Sequence, residues 1–448
     1  MISPARTAAF DILLRVETQN AYASDLLHSD RLEKLSPADR GLCTELVLGV
    51  LRWRMRLDDA IRDLSSQKLE KLDPEVLTSL RLAAYQIGFL QRVPAHAAVN
   101  DSVDLVKRSR KTSAASFVNA ILRKLIANPA LLQPELAPGP KTVLDLSQLY
   151  SHPLWIVERW AIEYGMERAE TICSYDQKAP ELALHVPSSE IERELAREGL
   201  QLAPGLLVNS ARRVVAGDVV RSQTIRSGRA WIQDEGSQLV AMLVGQASSI
   251  LDCCAAPGGK TAVLAERNPT AKILALELHK HRAEAMRTRL ASSANVEVEH
   301  QDITQTHSDA KFERALVDVP CSGTGTLARN PEIRWRLNPG DLQDLHTRQV
   351  AILKAAVAQT APGGRIVYSS CSLEPEENSA VMEEVLLAAA GLQVVPIRRE
   401  LEHLRASNDL VWSDLDGLVK GPYLRTLPGL QPCDGFFAAI LEKSAAPQ

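Results

Sequence analysis

Apolar residues recur at helical spacing from the start of the chain. Ala9, Ile12, Leu13 and Val16 fall on one helical face, and the same period continues through PADRGLCTELVLGVLRWRMRLDDAI, where Pro37 suits a first helical turn. Few alternating stretches or glycine turns interrupt residues 1–128, which are predicted to be all helical. The run NPALLQPELAPGP then concentrates proline, and 129–140 reads as a linker. Residues 141–230 give mixed signals: a helix in HPLWIVERWAIEYG, a short strand in ELALHV, a charged helix in SSEIERELAREG. They predict a small α+β segment.

Beyond about residue 245 the pattern changes to short apolar runs alternating with helical ones. The runs are SSILDCC, AKILALEL, VEVEH, RALVDVP, GRIVYSSCS, LQVVPI and GFFAAILEK, with helices such as AEAMRTRLASS and LHTRQVAILKAAVAQ between them. This alternation predicts an α/β domain with a mainly parallel, seven-stranded sheet and crossover helices over 231–448. Ligands of such sheets sit at the carboxyl ends of the strands, so the residues that end each run carry the chemistry.

The 448 residues favour two or three domains, and 45% hydrophobic content is enough for substantial cores. A net charge of −4 gives no global sign of a nucleic-acid partner, which leaves local basic patches to meet one. Asp11 and Arg15 interrupt the apolar stretch at the amino terminus, making it a poor signal peptide. No apolar run approaches the roughly 18 residues of a membrane span, so no membrane association is expected. The seven cysteines lack zinc-site spacing. We therefore expect no metal and a reduced, cytoplasmic setting in which a thiol is free to act as a nucleophile.

DCCAAPGGKT, from Asp252 to Thr261, ends like a phosphate-binding loop. A Walker loop needs glycine five residues before Gly259, and Cys254 stands there. The dinucleotide pattern GxGxxG is absent too. What remains is a strand ending in Asp252, a tight turn of Pro257, Gly258 and Gly259, and a helix from Lys260. The next strand ends in Glu277, where a carboxylate can grip two ribose hydroxyls. A third strand leads to Asp302, placed for an adenine amine. These features describe a nucleoside site with no demand for phosphate charge, or else a plain structural turn.

Two further strand ends bring thiols. VDVPCSGTG carries Asp318 and Cys321, and YSSCS carries Cys371. A free cysteine alone is more often a small buried hydrophobe. Two at neighbouring strand ends beside a nucleoside site favour a nucleophile, because C5 of cytosine becomes reactive only once a thiolate has attacked C6. The Asn/Asp-Pro-Pro-aromatic run of an amino-methylating enzyme is missing.

DCCAAPGGKT, VDVPCSGTGTLARNPEIRW, YSSCSLEPEEN and the terminal CDGFF resemble, in order and spacing, the motifs of the RNA (cytosine-5) methyltransferase family. The resemblance covers about 231–443, beginning at WIQDEGSQLV. Residues 1–128, with LGVLRWRMRLDDAI, RVPAHAAVNDSVDLVKR and FVNAILRKL, are similar to the NusB family. Such a fusion resembles the bacterial 16S ribosomal RNA branch of the methyltransferase family. The resemblance implies a Rossmann-like domain that uses S-adenosylmethionine, an RNA-binding NusB-like domain, and a cytosine of small-subunit ribosomal RNA as substrate. A monomer is expected. It implies that Cys371 attacks C6, that Cys321 serves release of the adduct and that Asp318 bonds the N3/N4 edge. Cys254, Ala255, Ala256, Pro257, Gly258, Gly259 and Lys260, with Glu277, Asp302 and Asp318, would line the cofactor. Glu277 stands where the family more often has Asp, and Cys253 takes no role.

The RNA footprint has two candidate runs. Lys107, Arg108, Arg110, Lys111, Arg123 and Lys124 occur without an acid between Leu105 and Leu125, and Arg212, Arg213, Arg221, Arg226 and Arg229 face only Asp218. Each run is either an RNA contact or a solvated face. Arg329, Arg334, Trp335 and Arg336 follow Cys321, and Trp335 either stacks on a base or packs in a core. Asp434 and Phe436–Phe437 read as finishing the last strand and its packing, and not as part of the chemistry. A non-catalytic RNA-binding factor and an NTPase are the rival classes; Asp318, Cys321 and Cys371 together oppose the first, and Cys254 opposes the second.

Overall fold

A computed structural model describes residues 2–27, 29, 32, 34–133, 141–306 and 311–445. The chain divides into two compact units, Met1–Pro180 with Leu327–Arg336, and Glu181–Thr326 with Leu337–Gln448.

The first unit is helical. Its first helix, Pro4–Gln19, buries Ala9, Ile12, Leu13 and Val16, the stripe its periodicity predicts. The helix Pro37–Arg52 begins with Pro37, and the Ser36 side chain caps it by accepting from Asp39 N. Helices Arg54–Leu64, Pro74–Phe89, Ala95–Arg108 and Ala115–Ala127 complete the core. Part of the stretch read as a linker packs on that core: Pro129–Leu132 forms a short 3-10 turn that buries Leu132. Residues 134–140 lie outside the described residues. Helices Val143–Leu149, Leu154–Tyr164 and Met166–Asp176 cluster with this unit too, and not with the strands that follow them. Leu327–Arg336 joins it from far along the chain.

The second unit opens with a small antiparallel sheet of β1 (Ala183–His185), β2 (Gln201–Pro204), β3 (Ala211–Ala216) and β4 (Trp231–Ile232), in the order β2-β3-β1-β4. The helix Ser189–Arg197 covers it through Leu195.

The main sheet contains all seven strands read from the sequence: β5 (Ser249–Asp252), β6 (Lys272–Glu277), β7 (Val296–His300), β8 (Phe312–Asp318), β9 (Thr360–Ser370), β10 (Leu392–Val395) and β13 (Phe437–Lys443). Two more, β11 (Val419–Lys420) and β12 (Tyr423–Arg425), make it nine-stranded. They are too short for alternation to be legible. The order is β11-β12-β13-β9-β8-β5-β6-β7, with β10 also paired to β13. Strands β5 to β9 run parallel, and β13 is antiparallel to β9. Ala315, Leu316 and Val317 of β8 are wholly buried, as expected of a central strand covered on both faces. The chain leaves β5 toward β6 on one side and returns to β8 on the other. That reversal opens a crevice at the carboxyl ends of β5 and β8, where a ligand of such a sheet binds.

Candidate functional site

The turn after β5 forms one wall of the crevice. Cys253 N donates to Leu316 O at 2.9 Å and Ala255 N to Leu276 O at 2.9 Å, which ties the turn to both neighbouring strands. Gly258 has φ 99°, a left-handed conformation that glycine adopts without strain, and the helix Gly259–Arg267 starts directly after it. Arg289 NH1 donates to Pro257 O at 2.9 Å. Beneath the turn, Asp252 Oδ2 accepts from Thr261 Oγ1 at 2.7 Å. Burial pushes the Asp252 carboxyl up to about 7.

Glu277 ends β6 and is 5% exposed. Its Oε1 accepts from His279 N at 2.8 Å, and Oε2 is 3.8 Å from Arg282. Asp302 lies just past β7, where its Oδ1 accepts from Thr304 N at 2.9 Å and Thr304 Oγ1 at 2.8 Å. Cys254 sits among these acids. Burial pushes its thiol up, and the charges of Asp252, Asp318, Glu277 and Asp302 push it further. Four carboxylates around a glycine turn suit a sulfonium centre and ribose hydroxyls, and they repel phosphate. The donor set therefore fits S-adenosylmethionine. Among the described residues, no group of three His, Cys, Asp or Glu is arranged to hold a metal ion.

The opposite wall comes from β8 and β9. The Sγ atoms of Cys321 and Cys371 lie 3.2 Å apart, and both thiols are free and half-buried. The hydrogen bond to Cys371, then burial, hold the Cys321 thiol well above its ordinary range, and the charges of Glu377 and Asp318 add to this. Asp318, at the end of β8, accepts from Lys260 Nζ at 2.8 Å through Oδ2 and from Ser369 Oγ at 2.7 Å through Oδ1. Burial works against the Lys260 charge, but Asp318 outweighs it and the ammonium is held above its ordinary range. The same Nζ lies 5.3 Å from the centre of the Phe436 ring.

Glycines let these loops meet. A Cβ on Gly325 would come within 2.2 Å of Gly435 O and 2.8 Å of Cys371 O. The backbones bond instead, Gly325 N to Cys371 O at 2.9 Å and Gly435 N to Gly325 O at 2.8 Å. The CDGFF motif thus does two things: Phe437 begins β13, and Gly435 and Phe436 reach the thiol loops and Lys260.

The structure brings together Cys254 to Lys260, Glu277, Asp302, Asp318, Cys321 and Cys371 at one edge of the sheet. Sequence reasoning missed Ser369, Ser322, Ser372 and Glu377. Glu377 lies inside the quoted YSSCSLEPEEN run, but an acid in a polar stretch after a strand looks like solvated surface.

The arginine-rich segment after Cys321 has a different role from the RNA contact considered above. Trp335 Nε1 donates to Leu51 O at 2.6 Å, and the Arg54 guanidinium stands 5.8 Å from its ring centre. Arg336 donates to Val16 O and Ala21 O at 2.9 and 2.6 Å. Arg334 is buried, and all three belong to the helical unit. The two basic runs are largely ion-paired: Lys107 with Asp104, Arg108 with Asp11 and Lys111 with Asp73 in the first. In the second, Arg212 pairs with Glu192, Arg213 with Glu181, Arg221 with Asp218 and Arg229 with Glu194. Among the described residues, no helix is long and apolar enough to cross a membrane.

Comparison with known proteins agrees with this division. Residues 240–442 match the family described as 16S rRNA methyltransferase RsmB/F, and residues 3–127 match the NusB family. Fold and site thus define an S-adenosylmethionine-dependent methyltransferase joined to a NusB domain. A Bacillus subtilis (strain 168) protein described as a probable ribosomal RNA small subunit methyltransferase B is 32% identical over 457 residues, covering 98% of each chain. A Synechocystis protein (strain ATCC 27184 / PCC 6803 / Kazusa) with the same description is 34% identical, covering 99% of this chain and 100% of its own. The chain belongs to the ribosomal RNA small subunit methyltransferase B family. Its fold is shared with the crystal structure of PH0851, at TM-score 0.81 and 21% identity over 99% of this chain and 100% of that one.

Proposed function

We propose that this enzyme methylates C5 of a cytosine in small-subunit ribosomal RNA through a covalent bond between Cys371 and C6. The observation that carries the reading is the pair of thiols 3.2 Å apart, beside a carboxylate held by Lys260 and Ser369. Nitrogen methylation needs no thiol; carbon methylation of a pyrimidine needs one to activate the ring.

S-Adenosylmethionine, when bound, supplies an electrophilic methyl group on a sulfonium. The backbone of Cys254 to Lys260 would cradle it, Glu277 would hold the ribose hydroxyls and Asp302 the adenine amine. Cys371, as the thiolate, adds to C6, and the electrons of the C5–C6 double bond shift toward C5 and the N3 edge. Asp318 accepts from the exocyclic amine on that edge and holds the ring over the thiols. Each of its oxygens keeps a lone pair beyond the one used by Lys260 or Ser369. Once C5 is methylated, a base takes the C5 proton, the double bond re-forms, and Cys371 leaves as a thiolate; Cys321 serves this release step. The target base must leave its stack to reach these thiols, which favours a loop or an unpaired segment of the RNA. A cytoplasmic, reducing setting keeps both thiols available.

The test is incubation of the protein with radiolabelled S-adenosylmethionine and small-subunit RNA, followed by nucleoside analysis. Label in 5-methylcytosine is expected. Label on an exocyclic amine or a ribose hydroxyl would overturn the reading.

A further inference from the structure

Where parallel strands end, the ladder that held them ends too, yet Cys321 and Cys371 both lie beyond their strands. The Gly325–Cys371 backbone bond ties the loops further along, and a second contact is needed beside the thiols themselves. The candidate is Glu377, wholly buried and placed just before the helix Ser379–Ala388. Its Oε1 accepts from Ser322 N at 2.7 Å and Gln349 Nε2 at 2.9 Å, and its Oε2 accepts from Ser322 Oγ at 2.5 Å and from Ser372 Oγ. Ser322 and Ser372 directly follow the two cysteines. Gln349 also donates to Pro320 O at 3.0 Å, on the other side of Cys321.

The carboxylate is itself held from behind. Tyr368 OH donates to the Glu377 main-chain oxygen at 2.7 Å. Asn378 Nδ2 donates to Ser372 O at 3.0 Å and Glu374 O at 2.8 Å. A buried carboxylate is costly unless its oxygens are filled, and these are filled by groups that adjoin the thiols.

We propose that Glu377 is a positioning residue that clamps the Cys321 and Cys371 loops at a fixed separation, so that one base meets both thiols. The proposal rests on the two-thiol reading above. It adds a residue that touches neither the base nor the cofactor and acts through Ser322 and Ser372. Displacing a reacting group by about 1 Å costs on the order of a hundredfold in rate, so the clamp has a large effect to exert.

The test uses the full-length protein and dibromobimane, which loses two bromides as two nearby thiols bridge it and becomes fluorescent; peptide mapping assigns the bridge. Wild-type protein should form a Cys321–Cys371 bridge. Glu377→Ala should form it at least about tenfold more slowly and should lower single-turnover methylation by on the order of a hundredfold. Its S-adenosylmethionine affinity, by calorimetry, should stay within about twofold, because the clamp does not reach the Cys254–Lys260 turn. Glu377→Gln, which keeps volume and one acceptor oxygen, should recover most of the bridging rate, and Ser372→Ala should lose less than Glu377→Ala. These two variants serve if the alanine variant does not fold. Unchanged bridging in Glu377→Ala or in Ser372→Ala would overturn the proposal. Bridging reads thiol spacing without RNA, so it judges the clamp even if no 5-methylcytosine forms.

Discussion

Lys260 Nζ lies 2.8 Å from Asp318 Oδ2, joining the first residue after the cofactor turn to the end of the central strand. The contact connects the two walls of the crevice and fixes Asp318 where a base edge would meet it. Lys260→Met should therefore reduce turnover more than cofactor binding. Losing one charge-assisted bond in the transition state is worth about 1.5–3 kcal/mol, roughly ten- to a hundredfold in kcat/KM. Steady-state kinetics beside calorimetry with S-adenosylmethionine separate the two effects. A loss seen only in affinity would make Lys260 a cofactor residue.

Glu277→Ala should instead weaken S-adenosylmethionine binding by about ten- to a hundredfold, the value of a charge-assisted bond to ribose hydroxyls. Among the described residues its Oε2 has only Arg282 at 3.8 Å, which leaves it open to a further donor. Unchanged affinity in a calorimetric titration would mean that the ribose is held elsewhere.

Asp252 gives a pH test. Burial raises its carboxyl from 3.8 to about 7, so the folded state binds the proton more tightly than the unfolded state does. Its contribution to stability is fully present below the unfolded value and is lost as pH rises through about 7. Asp252→Asn is neutral throughout, so it should gain stability relative to wild type between about pH 4 and about pH 8. Urea melts of both proteins across that range measure the difference. A constant offset would contradict it.

Arg334 is 1% exposed and donates to Ser151 O at 3.3 Å and to Leu327 O at 3.5 Å. Burial lowers its pKa to about 10 and raises that of neighbouring Asp176 to about 7. Arg334→Ala removes the buried positive charge that favours the Asp176 carboxylate, together with its main-chain hydrogen bonds, and should destabilise the helical unit by about 3–5 kcal/mol. The double variant Arg334→Met/Asp176→Asn should lose less, because neither position then buries a charge. Equal losses in chemical denaturation would show that packing, and not charge, sets the cost.

Helical periodicity located the helices because each buries one face, short apolar runs located the strands because the sheet is covered on both faces, and strand ends pointed to Asp252, Glu277, Asp318 and Cys371 because ligands of a parallel sheet collect there. What stayed hidden depends on tertiary partners. Glu377 is legible as a charge but not as a buried one, since Ser322 and Gln349 come from distant segments. Trp335 and Arg336 follow Cys321 in sequence, yet their partners Leu51 and Val16 lie hundreds of residues earlier. The acids that pair with Arg212 and Arg213, Glu192 and Glu181, likewise come from earlier segments, so a basic run on paper is a balanced surface in the fold.

The division of labour between the two thiols is measured most directly by trapping. Single variants Cys321→Ala and Cys371→Ala are incubated with small-subunit RNA and S-adenosylmethionine, then run on a denaturing gel. Cys321→Ala should attack the base and fail to release it, giving a protein–RNA band. Cys371→Ala and the double variant should give none. A band with Cys371→Ala but not with Cys321→Ala would contradict the account and exchange the two roles.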